Sequence, residues 1–326
     1  MCSCHHCETG EMDNISSATV FTLTALNGTS WTSRFIIFVF VLPAFFLTLF
    51  LNSTLVLIIV LEKSLHQPMY IFLCNLSIHG LYGATGFYPK FLFDLLVETS
   101  LISLQECIIQ NFVIFTYTMS EFTNLTVMAF DRYLAICRPL YYHSIMTTVM
   151  VWKCVVFIWM FPCCAALITI LMTLRFPRCE TQINKLVCDH MSLEKLACYT
   201  DTAQFVLNGL FTCVFCAFVG FLFFSYVKII IVCKQSKQTQ KFKSTCLPHL
   251  IGFCNYIVCT LVDAFNTRFG TSYLSQALQN FMSVTYLVIP PLANPLIYGI
   301  IMSPIRTKII YIFQGNKYKS TNSAEK

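Results

Sequence analysis

Charge is what this sequence has least of. Only 11% of its 326 residues are Asp, Glu, Lys or Arg, whereas 56% are hydrophobic and the mean hydropathy is +0.68. Soluble domains carry roughly 25% charged residues, so a chain this poor in charge suits lipid better than water as its solvent. The ten-residue alternating segments of a membrane β-barrel are missing. Fixed-period repeats and low-complexity linkers are missing too, which points to one membrane domain rather than a solenoid or a string of modules. The first 34 residues hold acids, sequons and cysteines instead of a basic start and a short apolar core. No cleavable signal is legible there, and the first span is expected to act as its own insertion signal.

Seven apolar stretches stand out: Phe35 to Leu61, Tyr70 to Pro89, Cys107 to Arg132, Cys154 to Leu174, Thr202 to Val232, Ser244 to Val262 and Ser272 to Met302. A hydrocarbon core of ~30 Å takes about 20 helical residues, and in lipid a helix satisfies its own backbone. The expected fold is therefore an all-α membrane protein, a seven-transmembrane helix bundle. Residues 1–34 form an outer tail, 35–302 the membrane domain, and 303–326 an inner amphipathic helix and tail. In that last part Arg306 and Lys308 interleave with Ile305, Ile309, Ile310 and Phe313, the pattern of a helix lying on a membrane surface. A frayed tail is the plainer alternative. Lys228, near the end of the fifth span, can snorkel to the headgroups.

Lys and Arg orient the spans. With the amino terminus outside, 14 of the 21 basic residues fall on the cytoplasmic side and 7 outside. The expected location is the plasma membrane, multi-pass, with Asn14 and Asn27 as exposed glycan acceptors and the sequons at Asn52, Asn75 and Asn124 buried. The net charge of +6 is then a topology signal and not a footprint for nucleic acid. Most of the 18 cysteines lie inside spans as small apolar fillers. Cys107, Cys179, Cys188 and Cys198 lie outside, where four cysteines allow three pairings. The opening Met-Cys-Ser-Cys-His-His-Cys has zinc-ligand residue types, but its spacing leaves little chain to wrap a tetrahedron. An upstream extension with Met12 as an alternative start accounts for it better, and no metal or cofactor is expected.

The inner end of the third span reads Met128-Ala129-Phe130-Asp131-Arg132-Tyr133-Leu134-Ala135-Ile136-Cys137-Arg138-Pro139-Leu140. Asp-Arg-Tyr alone is a weak match, but the extended run resembles the signature of odorant receptors, within the rhodopsin-like G-protein-coupled class. Other marks fall in order: Leu65-His66-Gln67-Pro68-Met69-Tyr70, Ser225-Tyr226, Lys241 to Leu250, and Pro290 to Tyr298 with Asn294 and Pro295, besides Asn52 and Trp159. The resemblance covers about Arg34 to Phe313. It implies bonds Cys107–Cys188 and Cys179–Cys198, a small-molecule odorant as ligand, and a stimulatory heterotrimeric G protein that raises cyclic AMP. It also implies switch roles for Asp131, Arg132, Tyr133, Tyr226, Asn294, Pro295 and Tyr298; a merely snorkelling Arg132 is the plain alternative. The segment Gly80 to Lys90 is similar to the fish branch of the family.

Two departures matter. The acid usual in the second span of rhodopsin-like receptors is Gly80 here, which leaves a sodium site unsupported, and the intramembrane carboxylate is Glu121 instead. Buried ionisable groups in membranes are costly and usually functional, so Glu121, which the family packing implies lies near Asn52 and Asn294, is expected to form the polar centre of the bundle. A protonated Glu121 that only bridges helices is the alternative. The sixth span also lacks an inner acid to hold Arg132; Lys241 and Lys243 stand there.

For the ligand, Phe115, Thr118, Met119 and Phe122 share one helical face at i, i+3, i+4 and i+7. Leu207, Phe211, Tyr256, Cys259 and Thr260 are candidates to converge on the same cavity. No acid lies between Cys107 and Ser120, against an amine receptor, and no lysine between Phe269 and Ile305, against a retinal Schiff base. A mostly apolar pocket favours an uncharged or weakly polar ligand. A non-olfactory chemosensory receptor is the nearest alternative. A transporter would show midplane polar groups and inverted repeats, and an enzyme would need a clustered nucleophile or metal set, whereas His79 and His249 stand singly. A chain started at Met12 is expected to reach the cell surface and respond like the full chain; a zinc-dependent response lost only in the shorter form would restore a role to the Cys/His cluster.

Overall fold

The computed structural model describes residues 20–235, 246–269 and 275–313. Asn14, Met12, the amino-terminal Cys/His cluster, Lys241 and Lys243 lie outside the described residues. Seven long helices cross the molecule: α1 (Trp31–Leu61), α2 (Pro68–Leu95), α3 (Leu104–Cys137), α5 (Thr148–Leu174), α7 (Thr202–Gln235), α8 (Leu247–Phe269) and α9 (Gln276–Ile301). Between and after them lie three short helices, α4 (Pro139–Ile145), α6 (His190–Lys195) and α10 (Ser303–Phe313). Side chains cap several starts: Ser30, Ser103, Thr147, Asp189 and Ser275 each accept a backbone N–H from the first turn that follows. At α3 the cap is reciprocal, with Glu106 accepting the N–H of Ser103 at 2.8 Å.

Several helices run past the ends that hydropathy marks. The second does not stop at Pro89 but continues to Leu95, and the third starts at Leu104 and ends at Cys137. Hydropathy follows the lipid core, whereas the helices project beyond it into the headgroups and loops. The structure also adds a small sheet that an all-α reading omits. Strand β1 (Val20–Leu23) lies between β2 (Ser100–Ser103), antiparallel, and β3 (Gln182–Ile183), parallel. It ties the chain before α1 to the α2–α3 and α5–α7 connections at one end of the bundle.

The distribution of side chains is that of a protein in lipid. Phe40, Leu61 and Phe205 are three-quarters exposed, while Asn52, His79, Glu121 and Asn124 are buried. Five of the seven helices are apolar enough by composition to cross a membrane; α2 and α3 fall short. These two have the most buried residues of the long helices, because other helices rather than lipid surround them. Helix α10 follows α9 after Met302, tucks Ile305 inward, leaves Arg306 exposed, and is joined to the end of α1 by a Lys308–Glu62 ion pair of 2.5 Å.

The α2–α3 contact is the closest that the glycines permit. A Cβ on Gly83 would lie 2.4 Å from the Tyr117 ring, and one on Gly86 would lie 2.2 Å from Val113 Cγ1. Small residues three or four apart on one face let membrane helices approach at backbone distance. Tyr117 is fully buried and cannot swing away into solvent. Gly83→Ala should therefore cost about 1–3 kcal/mol through overpacking and lower the melting temperature of the detergent-purified protein. An unchanged melting temperature would mean that the Tyr117 ring has room to move.

Candidate functional site

At the sheet end, a loop closes the bundle. Cys188 is bonded to Cys107 on α3, and Cys179 to Cys198 within the loop. The N–H of Cys188 also donates to Gln110 Oε1 at 2.9 Å. Beyond Cys188, Asp189 caps α6, accepting from the Ser192 N–H at 2.8 Å and its hydroxyl at 2.6 Å. Lys185 reaches the other oxygen of Asp189 at 2.5 Å and stands 3.9 Å from Asp263 on α8. Asn27, in the turn before α1, is exposed.

Under this loop lies a cavity of about 230 Å³. Helix α3 supplies Asn111, Ile114, Phe115, Thr118 and Met119; α8 supplies Thr260 and Asp263; α9 supplies Tyr286; and Asp189, His190 and Met191 form the roof. Of the residues expected there from sequence, Phe115, Thr118, Met119 and Thr260 are in the wall. Phe122 is not. It lies two turns, about 10 Å, further along α3 than Phe115, with its ring against Phe215, Phe218 and Tyr256 in the core. Phe211 meets Phe115 edge-on behind the wall, and neither Leu207 nor Cys259 lines the cavity. Tyr256 forms the layer below: its hydroxyl donates to the Thr118 carbonyl at 2.7 Å.

Sequence reasoning missed the polar part of the wall: Asn111, Asp189, His190, Asp263 and Tyr286. Asp263 had a signal, being an acid flanked by Leu261-Val262 and Ala264-Phe265. Ending the sixth span at Val262 assigns it to a loop, but α8 runs on to Phe269 and faces Asp263 to the cavity.

Deeper, Asn294 on α9 donates to Glu121 Oε2 at 3.2 Å. Asn52 does not touch that carboxylate; its amide donates to the carbonyls of Thr48 and Pro291, both at 2.8 Å. The polar centre is thus spread along α9, with Asn294 holding α3 and Pro291 holding α1. Tyr298, fully buried, lies one turn beyond Asn294, with its ring 5.2 Å from that of His249. Tyr226 packs on Phe253. Pro295 is accommodated inside α9.

At the opposite end Arg132 pairs with its neighbour Asp131, through Nε at 2.8 Å and also through a terminal nitrogen. Tyr142 on α4 completes the arrangement, its hydroxyl donating to the other Asp131 oxygen at 2.8 Å. Asp131 is fully buried, and Tyr133 is half-buried beside it. Tyr142 could not be found from spacing, because α4 must fold back for it to arrive. Among the described residues no group of three or more His, Cys, Asp and Glu is placed to hold a metal.

A family profile described as olfactory receptor matches residues 38–316. The human protein Olfactory receptor 10J4 is 32% identical over 297 residues, covering 88% of this chain and 93% of its own length. The mouse protein Olfactory receptor 4E2 is also 32% identical, covering 87% of this chain and 92% of its own. Among solved structures, the crystal structure of squid rhodopsin superposes with a TM-score of 0.70 at 13% identity, over 88% of this chain and 87% of that one. These relatives are receptors and not enzymes, and the rhodopsin likeness bears on fold alone.

The loop ion pair has a defined pH response. Burial works against the Asp189 carboxylate, but the charge of Lys185 and hydrogen bonds from Lys185 and Ser192 outweigh it and hold its pKa below the ordinary 3.8. Burial likewise opposes charge on Lys185, and Asp189 and Asp263 outweigh it, raising its pKa above 10.5. A depressed acid contributes stability above its unfolded pKa and loses it only as pH falls through the folded value; a raised lysine contributes below its unfolded pKa and loses it as pH rises through the folded one. The pair is therefore constant from about pH 4 to pH 10. In Lys185→Gln only burial and the Ser192 bonds act on Asp189, so its pKa rises. The melting-temperature deficit of that variant should be larger at pH 8 than at pH 5, where protonation relieves the buried charge. A deficit equal at both pH values would show that Asp189 gains nothing from Lys185. The geometry, the family profile and the two relatives together place this chain in the olfactory receptor family, a multi-pass membrane protein with the rhodopsin-like seven-helix fold.

Proposed function

We propose that the chain is an odorant receptor of the plasma membrane that binds a small molecule in the cavity under the disulfide-tethered loop. In this reading it activates a stimulatory heterotrimeric G protein at the Arg132 end and raises cyclic AMP. Residues 35–302 act as one receptor domain, residues 1–34 as an outer tail glycosylated at Asn14 and Asn27, and residues 303–326 as an inner amphipathic helix and tail. The orientation rests on the basic residues, 14 inside against 7 outside. The fish-branch likeness rests on the Gly80 to Lys90 segment alone.

The observation that carries the reading is a polar column between the two ends. Thr118 lines the cavity and accepts from Tyr256; one turn down α3, Glu121 accepts from Asn294; two to three turns further, Arg132 is held by Asp131. A ligand that displaces Thr118 or Met119 loads the Tyr256 bond and so moves α8 against α3. It shifts the equilibrium only by its differential affinity for the two arrangements.

In the resting arrangement Asp131 and Tyr142 restrain Arg132. Asp131→Asn removes the opposing charge, and a lost contact of about 1.4 kcal/mol raises a small active fraction roughly tenfold. Tyr142→Phe removes one hydrogen bond of about 1 kcal/mol and should raise it roughly fivefold. Arg132→Ala should abolish the agonist response and leave ligand binding intact. Cyclic AMP per surface receptor is the readout. Unchanged basal output in both Asp131→Asn and Tyr142→Phe, with full signalling by Arg132→Ala, would place the switch elsewhere.

A further inference from the structure

The polar side of the cavity is not balanced. Asp189 is saturated, accepting from Lys185 and from the N–H and hydroxyl of Ser192. Lys185 is thereby committed at 2.5 Å to Asp189 and stands 3.9 Å from Asp263 Oδ1, beyond hydrogen-bond reach. Asp263 Oδ1 has no hydrogen-bond partner. Two carboxylates thus share one lysine, and the one it does not hydrogen-bond, Asp263 on α8, faces the cavity. A second, independent feature lies on α3: Asn111 is 1% exposed, lines the same cavity, and has neither amide atom hydrogen-bonded. An amide buried without partners costs free energy that a ligand group recovers. The rest of the wall mixes the polar side chains of Thr118, His190, Thr260 and Tyr286 with an apolar part made by Ile114, Phe115, Met119 and Met191.

We infer that the cavity takes a small organic cation, a protonated amine on an apolar body, with its ammonium received by Asp263 and Asn111 and its body against Phe115 and Met119. The inference rests on the cavity being the ligand site, and it revises the sequence-based expectation of an uncharged ligand. The acid that would pair with an amine is absent from the outer half of α3 but present on α8, facing the same space. An ammonium supplies the charge that Asp263 lacks and donates to the Asn111 carbonyl oxygen, without breaking the Lys185–Asp189 pair. A carboxylate ligand would instead enter as a third acid beside Asp189 and Asp263, with Lys185 already committed to Asp189. The cavity of about 230 Å³ is below the roughly 300–1,000 Å³ of drug-sized sites, which limits the body to a short chain or one ring.

The test uses the full chain in cells with matched straight-chain primary amines, alcohols and carboxylic acids, read by cyclic AMP and by the melting temperature of the purified receptor. Amines should be the most potent set and the most stabilising. Asp263→Asn should weaken amines on the order of 100-fold, as for a desolvated charge pair, with alcohols little changed, and Asp263→Glu should restore most of the amine response. If Asp263→Asn does not reach the surface, Asn111→Ala serves, with an expected loss of about tenfold for amines. Alcohols or acids equalling the amines, or amine potency indifferent to the substitution made, would overturn the inference. Failure of the broader reading looks different: a ligand whose potency survives Thr118→Trp, which fills the cavity, binds elsewhere.

Discussion

The bundle is organised by hydrogen bonds made to and by α3. In lipid there is no hydrophobic drive to bring one helix against another, so packing and interhelical polar contacts must do it. Helix α3 provides most of them here. Asn124 donates to Phe72 of α2 at 2.9 Å, Ser120 to Ile158 of α5 at 3.3 Å, and Tyr117 to Tyr286 of α9 at 3.4 Å, while α3 accepts from Tyr256 of α8 and Asn294 of α9. Each contact is worth about 0.6–2 kcal/mol, and together they set the rotation of the helices around α3. This explains why α2 and α3 fall short of the apolar composition of the other five long helices. A helix that faces protein on every side can carry polar groups that one facing lipid cannot.

The same arrangement links the two ends of the protein. Polar groups within α3 occur at Asn111, Thr118, Glu121 and Asp131, and each engages, or is open to, something different: a cavity, the α8 tyrosine, the α9 amide, an arginine with a tyrosine from α4. Tight α2–α3 packing at Gly83 and Gly86 holds one side of α3 rigid. The α8 and α9 side is held by three separate hydrogen bonds, one to α8 and two to α9. Helix motion under a ligand would therefore concentrate there, where one contact can break without disturbing a close-packed seam.

Closure of the sheet end is a separate device. The three short strands, the Cys107–Cys188 bond and Arg34, whose guanidinium donates to the Leu26 carbonyl at 2.7 Å and the Val97 carbonyl at 2.5 Å, fasten the loop and the chain before α1 to the helix ends. That fastening is what positions Lys185, Asp189 and His190 over the cavity. Without it the roof would be a stretch of polar chain with no defined face.

The number of spans, the apolar exterior, the odorant-receptor signature and the presence of an acid inside the bundle at Glu121 were legible in the residues alone. Hydropathy is a local property, and a buried acid in an apolar run announces itself by its cost. The odorant-receptor resemblance also implied the cysteine pairs that the structure bonds. Other features depended on tertiary placement. Phe122 shares a helical face with Phe115 yet lies in the core, because a face says nothing of depth along the helix axis. Asp263 reads as a loop acid until α8 is seen to extend past it, and Tyr142 acquires a role only when α4 folds back beneath α3. Asn111, Asp189 and Asp263 come from three separate segments and meet only through helix rotation and a disulfide. Sequence periodicity determines which residues can share a side of one helix; which sides face one another, and at what depth, is decided by the packing of all seven.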